Sequence, residues 1–400
     1  MNSILKINAF LSLTKSFFSS IYIYYLFIFI YVLNDALGNS VIPQYNNSSF
    51  HDMLLYLSII LAFGCLLQLD FKDKENFKST IFIVIGFFCY LFGNRTAFLL
   101  SIAASVLGNT SNINILLRMI FIEKLAVFLF IVLLSLIGIL PGREALYLNV
   151  NESVKTVTLG YSHANTFSAT VGILMMLYVS IQSRKMTNKQ FASLFIISLL
   201  TYYITKCRIG FALMLLLLIL LLIPYKKILN PNYRLKKCIM SLFIILVTLN
   251  FSLIILKAFF SDNSILLAID HYIFHGRIGL AAEYMKIYPV TLFGDVLDLT
   301  KISNTLWYTA LDNGYIINLL YYGVIGLLVY LYIFQKSFLN ILSSKNKTLI
   351  IVSICFMIWT IYEGMMITAS SNFVLLLYSK NIFQISKSGN DYQSAKNHYS

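Results

Sequence analysis

Charge is scarce in this chain. Asp, Glu, Lys and Arg make up 12% of the 400 residues, about half the share that soluble domains carry. That scarcity excludes a water-solvated globule as the organising unit. Cysteine is sparse too. Cys65, Cys89, Cys207, Cys238 and Cys355 are scattered, mostly within or beside apolar runs, and no pair has metal spacing, so a disulfide framework is not expected. The chain also lacks a Walker loop, a dinucleotide fingerprint, a GxSxG elbow, an HExxH pattern and an acidic metal pair in an inner loop. These absences argue against nucleotide-driven chemistry inside the cell. They leave His271 and His275, four apart and on one face if helical, as the sole zinc candidates, without a third ligand at a telling spacing. No cofactor is expected. No internal repeat and no low-complexity linker is visible.

Hydrophobic residues are what fill the chain, at 59%. Many runs approach the roughly 20 apolar residues that cross a bilayer. The expected fold is therefore an all-α polytopic membrane protein, one integral domain over 1–400. Twelve crossings are predicted, at 17–35, 53–69, 79–93, 95–109, 124–140, 160–182, 191–206, 209–224, 239–257, 314–334, 348–366 and 370–384. Lys6 and Lys15 precede the first run with no obvious small-residue cleavage site, so a retained first helix is expected. The tail 386–400 is polar and is expected to be loose and cytoplasmic.

The net charge of +14 does not require a nucleic-acid partner, because its distribution has a simpler cause. With the N-terminus inside, the inner segments hold 21 of the 30 Lys and Arg, and the outer segments hold 9 basic and 11 acidic residues. Lys72, Lys74 and Lys78 share one inner loop, and Arg184, Lys185 and Lys189 share another. Lys226, Lys227, Arg234, Lys236 and Lys237 form the densest inner cluster. This is the positive-inside bias, helped by anionic lipid. It predicts cytoplasmic termini. The count turns on 79–109, where Asn94-Arg95 separates two short halves. A single long helix there would invert everything that follows. Two crossings or a re-entrant pair avoid this, and both stay open.

The longest interruption is 257–313. Loops beyond roughly 12–15 residues are usually functional or disordered. This one carries Trp307 and the apolar runs Ser264–Ile269 and Ile278–Met285, so a folded extracytoplasmic cap over 258–313 is expected, with the chemistry beneath it. Charges near the membrane are costly, so those at the outer mouth are informative. Lys206 and Arg208 lie where one apolar helix ends and the next begins. Arg277 sits between glycines in FHGRIGLAAEY. Lys155 and His163 lie in KTVTLGYSHANTF, at the start of a helix. Each has a bland reading: an interfacial anchor for Arg208, a loop salt bridge with Asp270 or Glu283 for Arg277, a structural imidazole for His163. Taken together, Lys155, Lys206, Arg208 and Arg277 would ring one outer cavity with cations suited to phosphate oxygens. Glu283, Asp295, Asp298 and Asp312 are candidate bases for a sugar hydroxyl.

At these residues the chain resembles bacterial Wzy-type polysaccharide polymerases, the O-antigen and capsule repeat-unit polymerases related to O-antigen ligases. LGYSHANTF (159–167) is similar to the family's Gly-aromatic-x-His-Pro-Asn helix start, with Ala164 in place of Pro. TKCRIG (205–210) is like its Ser-x-Ser-Arg turn, with Cys207 for Ser. HGRIGLAAEYMKIYPVTLFG (275–294) is like the opening of the large outer loop. LDNGYIINLLYYGVIG (311–326) is like the Asp-Asn-x-Tyr and Gly-x-x-Gly start of the next helix. The resemblance implies a metal-independent membrane glycosyltransferase. It would join repeat units carried on undecaprenyl diphosphate, as donor and as acceptor, at the outer face of the bacterial cytoplasmic membrane. It implies Arg208 and Arg277 on the diphosphate, Asp312 as base with Glu283 in reserve, and His163, Asn165, Lys155, Lys206 and Tyr315 lining the substrate cavity. It implies membrane lipid, a chain-length regulator and a flippase as partners. A ligase acting on another acceptor and a lipid-linked glycan flippase or transporter stay open as alternatives.

Overall fold

The computed structural model describes residues 20–379, apart from 43–44, 46–47, 109–110, 143, 150–151, 183–185, 224–232, 299, 302–309 and 345, and gives the backbone alone for 20, 144–149, 152–155 and 233–239. The N-terminal Lys6 and Lys15, the inner cations Arg184, Lys185, Lys226 and Lys227, Trp307 and the tail 386–400 lie outside the described residues. The protein is α-helical, with several helices long and apolar enough to cross a membrane. Among the described residues seven reach that standard.

In chain order the helices are α1 (Ser20–Gly38), α2 (Ser49–Leu67), α3 (Lys74–Gly93), α4 (Thr96–Val106) and α5 (Ile113–Leu136). A two-stranded antiparallel ribbon follows, β1 (Glu144–Asn149) with β2 (Glu152–Val157). Then come α6 (Ala164–Ile181), α7 (Asn188–Thr205), α8 (Arg208–Leu222), α9 (Tyr233–Phe259), α10 (Ser264–Ile269), α11 (Arg277–Ile287), α12 (Gly314–Ser344) and α13 (Lys347–Tyr362). Polar residues at the breaks start the helices. The side chains of Ser48, Asp73, Asn112 and Asn346 each accept a backbone N–H of the first turn, satisfying donors that a helix start leaves open.

The question at 79–109 is decided by direction. The chain turns back at Asn94, which takes a left-handed conformation (φ 50°), and α4 returns alongside α3. The Tyr24 hydroxyl donates to Ala104 O at 2.7 Å, and Asn112 N–H donates to the Tyr25 hydroxyl at 2.8 Å. The first contact ties the end of α4, and the second the start of α5, to the beginning of α1. Further along, Lys124 Nζ lies 3.7 Å from Asp35. So α5 runs parallel to α1, as a returned pair requires. One long helix would have made α5 antiparallel. The span predicted at 124–140 begins instead at Ile113, because Glu123 and Lys124 are buried in mid-helix rather than marking a boundary.

Two segments depart from regular crossings. α12 is not one rod. Gly323 has φ 75° and ψ −178°, and the helix folds back there. The rings of Tyr315 and Tyr330 approach to 6.4 Å, whereas fifteen residues of straight helix would hold them about 22 Å apart. The strap 291–295 seals this fold. Val324 N–H donates to Thr291 O, Ile325 N–H to Leu292 O and Asp295 N–H to Leu320 O. A Cβ at Gly323 would meet Leu292 O at 2.3 Å, and one at Gly294 (φ 93°) would meet Tyr321 O at 2.0 Å, so only glycine fits. The second departure corrects the predicted helix at 370–384. Its described part holds only the short 3-10 turn Phe373–Leu377, wholly buried. Gly364–Ile367 is a like turn before it. Asn340 donates to Leu377 O and Tyr378 O, and Ser101 binds Ala369 N–H at 2.8 Å. Non-helical backbone at membrane depth survives where protein surrounds it, and here it does.

Candidate functional site

The interruption after α9 is folded over its described part, as α10, a π-helical turn at Asp270–Phe274 and α11. His275 (φ 53°) and Gly276 (φ 82°) then turn the chain sharply into α11. Asp270 caps that helix, its carboxylate accepting Ile278 N–H at 3.0 Å and Gly279 N–H at 2.8 Å. Asp270 is therefore used by the backbone and is not Arg277's partner.

Arg277, the first residue of α11, reaches into the ends of α12 and α13. Its Nε donates to Tyr362 O at 2.9 Å. Its Nη2 lies 3.4 Å from Asp312 Oδ2 and 3.7 Å from Glu363 Oε1. Two carboxylates thus lean on one nitrogen and are no more than about 7 Å apart. Asp312 is fixed by its neighbour: Asn313 is fully buried, donates to Asn250 Oδ1 at 2.9 Å and caps the start of α12 through Ile316 N–H. Glu363 occupies the turn that ends α13. Burial and the nearby Asp312 charge push its carboxyl up from the usual carboxylate range, against the pull of Arg277.

The start of α8 adjoins this group. Cys207 caps α8, its Sγ accepting Gly210 N–H at 3.4 Å. Burial pushes that thiol up to about 11, with the charges of Glu363 and Arg277 acting on it from close by. A Cβ at Gly210 would meet Ser168 Oγ at 2.1 Å, which packs α8 against the first turns of α6. Arg208 follows Cys207. It is exposed and has no ion pair among the described residues.

The structure thus joins Arg277, Asp312 and Glu363, with Arg208 at the start of α8, whose cap Cys207 feels the charges of Arg277 and Glu363. Other expected site residues lie elsewhere. Glu283 is exposed and pairs with Lys286 at 2.7 Å, one turn along α11, so it does not reach the group. Tyr315 is buried, and its hydroxyl donates to Met357 O at 3.2 Å; it is core and not a cavity wall. Lys206 stands in a left-handed cap and lays its ammonium 4.4 Å from the centre of the exposed Tyr203 ring, facing outward as an anchor. His163 caps α6 with an exposed ring and no cap hydrogen bond, and Asn165 is half-buried in the next turn. Both stand at the α6 start, against α8. Lys155 pairs with Leu146 through the ribbon backbone, and its side chain lies outside the described residues. Asp295, on the strap, and Asp298, just after it, are both exposed. His271 and His275 have no further metal-ligating group with them among the described residues.

Glu363 is the residue the sequence reading missed. An acid inside an apolar run is a functional candidate by default, and IYEGMM carried that signal. Reading 348–366 as one uninterrupted crossing hid it, because the helix ends at Tyr362 and leaves Glu363 at its mouth.

Comparison with protein-family models, with curated proteins and with solved structures gave no match.

Proposed function

We propose that this protein is a metal-independent membrane glycosyltransferase that polymerises repeat units carried on undecaprenyl diphosphate. The observation that carries the reading is the largely buried Arg277 between Asp312 and Glu363, near the start of α8 that bears the exposed Arg208. An acceptor sugar hydroxyl attacks the anomeric carbon of the donor glycan. Asp312, oriented by its pairing with Arg277, takes the hydroxyl proton. A new glycosidic C–O bond forms, the bond from the anomeric carbon to the diphosphate breaks, and the lipid diphosphate leaves with the electron pair. Arg277 gives Nε to Tyr362 O and sets Nη2 against the two carboxylates, so its role is to orient the base. Meeting the charge that grows on the diphosphate falls to Arg208. This division departs from the expectation that both arginines bind the leaving group.

In this reading both termini and the 225–237 loop are cytoplasmic, 258–313 is extracytoplasmic, and the membrane is the bacterial cytoplasmic membrane. Eleven passes are helical, and the twelfth is the buried irregular stretch after Glu363. Donor and acceptor are both lipid-linked glycans, and a chain-length regulator and a flippase belong to the same pathway. A ligase reaction on another acceptor would use the same groups.

One observation favours a transporter as second reading: the folded-back α12 and the irregular segment resemble the broken helices around transporter sites. Gene deletion with gel sizing of lipid-linked glycans separates the readings. Accumulation of single repeat units at the outer face is expected. Absence of any outer-face repeat would favour the flippase, and an unchanged ladder would end the polymerase reading.

A further inference from the structure

The stretch from the end of α9 to the start of α11 has two unlike faces. One is tied to the candidate site. The Asp270 carboxylate holds Ile278 N–H and Gly279 N–H, and the Phe274 ring stacks on the Tyr362 ring with 5.7 Å between centres. Tyr362 O is the acceptor of Arg277 Nε. The other face is apolar and uncovered. Phe259 is 78% exposed, Ile265 67%, Tyr272 76% and Ile273 54%, and Phe260 and Leu267 are exposed beside them. No residue of α10 is buried. A contiguous apolar face of this kind marks a contact with protein or with membrane.

Continuity, length and charge all favour the membrane. Ile245, Leu249, Leu256 and Phe260 are exposed at intervals of four, seven and four residues, which sets them along one face of α9. That helix contains Met240–Phe259, long and apolar enough to cross a bilayer, so its exposed stripe faces lipid. Ile265 and Leu267 follow directly from the end of the stripe. α10 and the π-helical turn together run for eleven residues, about 16 Å. They fall short of the roughly 20 residues that cross a bilayer and are long enough to lie along its surface. Between Lys257 and Arg277 the sequence holds Asp262 and Asp270 and neither Lys nor Arg. Asp270 is buried on its backbone partners, so the face offers little charge for a protein partner to pair. Tyr272 adds an apolar ring with a polar tip, the type of side chain enriched where membrane meets water.

We infer that 259–273 is an interfacial anchor, lying in the bilayer surface on the face that carries Arg277. Its partner is phospholipid. The exposed apolar side chains sit at the boundary of headgroups and acyl chains, and the polar turn 261–263 stays at the water. Such a helix sinks its apolar face roughly 5–10 Å into that boundary. Apolar burial holds it there, so anionic lipid is not required. Asp270 and Phe274 join the seated segment to α11 and to Tyr362. The anchor therefore sets the start of α11, and Arg277 with it, at the lipid surface. This goes beyond the reaction proposed above and does not depend on it.

Nitroxide labels on Leu267→Cys and Ile273→Cys, in a background without native cysteines, read the depth in the full chain. One set of nanodiscs is phosphatidylcholine, and the other adds phosphatidylglycerol. Relaxation by oxygen, which concentrates among acyl chains, is compared with relaxation by a water-soluble nickel chelate. A label on Glu283→Cys, exposed on α11, is the aqueous reference. Both test labels are expected roughly 5–10 Å into the headgroup–acyl boundary in either lipid, with nickel access lost relative to Glu283→Cys. Labels open to the chelate overturn the inference. Labels closed to both reagents overturn it too, and assign the face to a second copy or another protein. Insertion seen only with phosphatidylglycerol would replace apolar seating by charge. A second measurement keeps the native cysteines: a benzophenone amino acid in place of Tyr272 should crosslink phospholipid on irradiation, and crosslinks to protein alone overturn the anchor. The polymerase reading stands or falls separately, on the glycan ladder.

Discussion

Arg277 holds Asp312 at 3.4 Å across the fold from α11 to the start of α12, and this contact separates the two arginines of the site. Arg277 is enclosed by partners, whereas Arg208 stands exposed. Arg208→Ala should leave membrane levels near normal and cut polymerisation by on the order of 10²–10³, the usual cost of losing one group that stabilises a developing oxyanion. Arg277→Ala should instead lower both abundance and activity, because the largely buried Asp312 loses its counter-charge, a change of roughly 3–5 kcal/mol for a buried pair. Gel sizing beside immunoblotting distinguishes them. Equal abundance of the two variants would remove the structural role of Arg277.

Glu363 gives a pH prediction. Its folded-state carboxyl is raised, by burial first and by Asp312 next. The folded protein therefore holds that proton more tightly than the unfolded chain. The resulting stability is fully present below the ordinary value of 4.5 and is lost as pH rises through the raised value. Glu363→Gln stays neutral throughout. Thermal melts in detergent should show the wild type losing ground to Glu363→Gln as pH increases from 5 to about 8. Parallel melting curves for the two proteins would mean Glu363 ionises normally.

Much of this molecule is legible in the sequence. Apolar run length locates nearly every helix, since the pattern depends on local composition. Three features are not local and were missed. Lys124 reads as a boundary charge because its partner Asp35 lies far away in sequence. The fold in α12 depends on a strap docking at Gly323, and LLYYGVIGLL looks like continuous helix. Phe373–Leu377 is apolar enough for a helix but is packed on every side by other parts of the chain, which supply its hydrogen bonds. In the candidate site, charge near a membrane is conspicuous in a sequence, so Arg208, Arg277 and Asp312 stand out, and the structure pairs the last two. Glu283 and Tyr315 were misplaced because a motif gives neither the helix face nor the depth.

The fold at α12 can be tested through glycine. Gly323→Ala puts a methyl against Leu292 O in a left-handed conformation, so the strap or the helix must move. Gly138 has a similar φ of 80° but nothing within 4 Å. Its alanine variant carries only the backbone strain, about 1–2 kcal/mol. Size-exclusion profiles should show Gly138→Ala monodisperse and Gly323→Ala largely aggregated. Similar profiles would mean that the strap does not hold the fold.

The proposed orientation rests on the distribution of basic residues. An introduced Ser261→Cys, in a background without native cysteines, should react with an impermeant thiol reagent on intact cells. Asn230→Cys should be protected until the membrane is opened. The opposite pattern would turn the protein over and place Arg208 and Arg277 on the cytoplasmic side, where no lipid-linked polymerisation of the proposed kind occurs.

The pairing of Asp35 with Lys124 closes the set. Lys124 is almost fully buried, with Asp35 3.7 Å away and further anchored by Ser370. Taking two charges out of water is expensive, and their attraction roughly repays it only while both are present. Removing one leaves an uncompensated charge. Asp35→Asn and Lys124→Met should each destabilise by roughly 3–5 kcal/mol, and the double variant should recover most of the loss. The pair also joins α1 to α5 and, through Ser370, to the irregular segment. Single variants should therefore expose that segment to protease in detergent, while the double variant stays resistant. The measurement is a double-mutant cycle of melting midpoints with limited proteolysis alongside. Additive losses in the double variant would show that the two charges are stabilised separately, by groups other than each other.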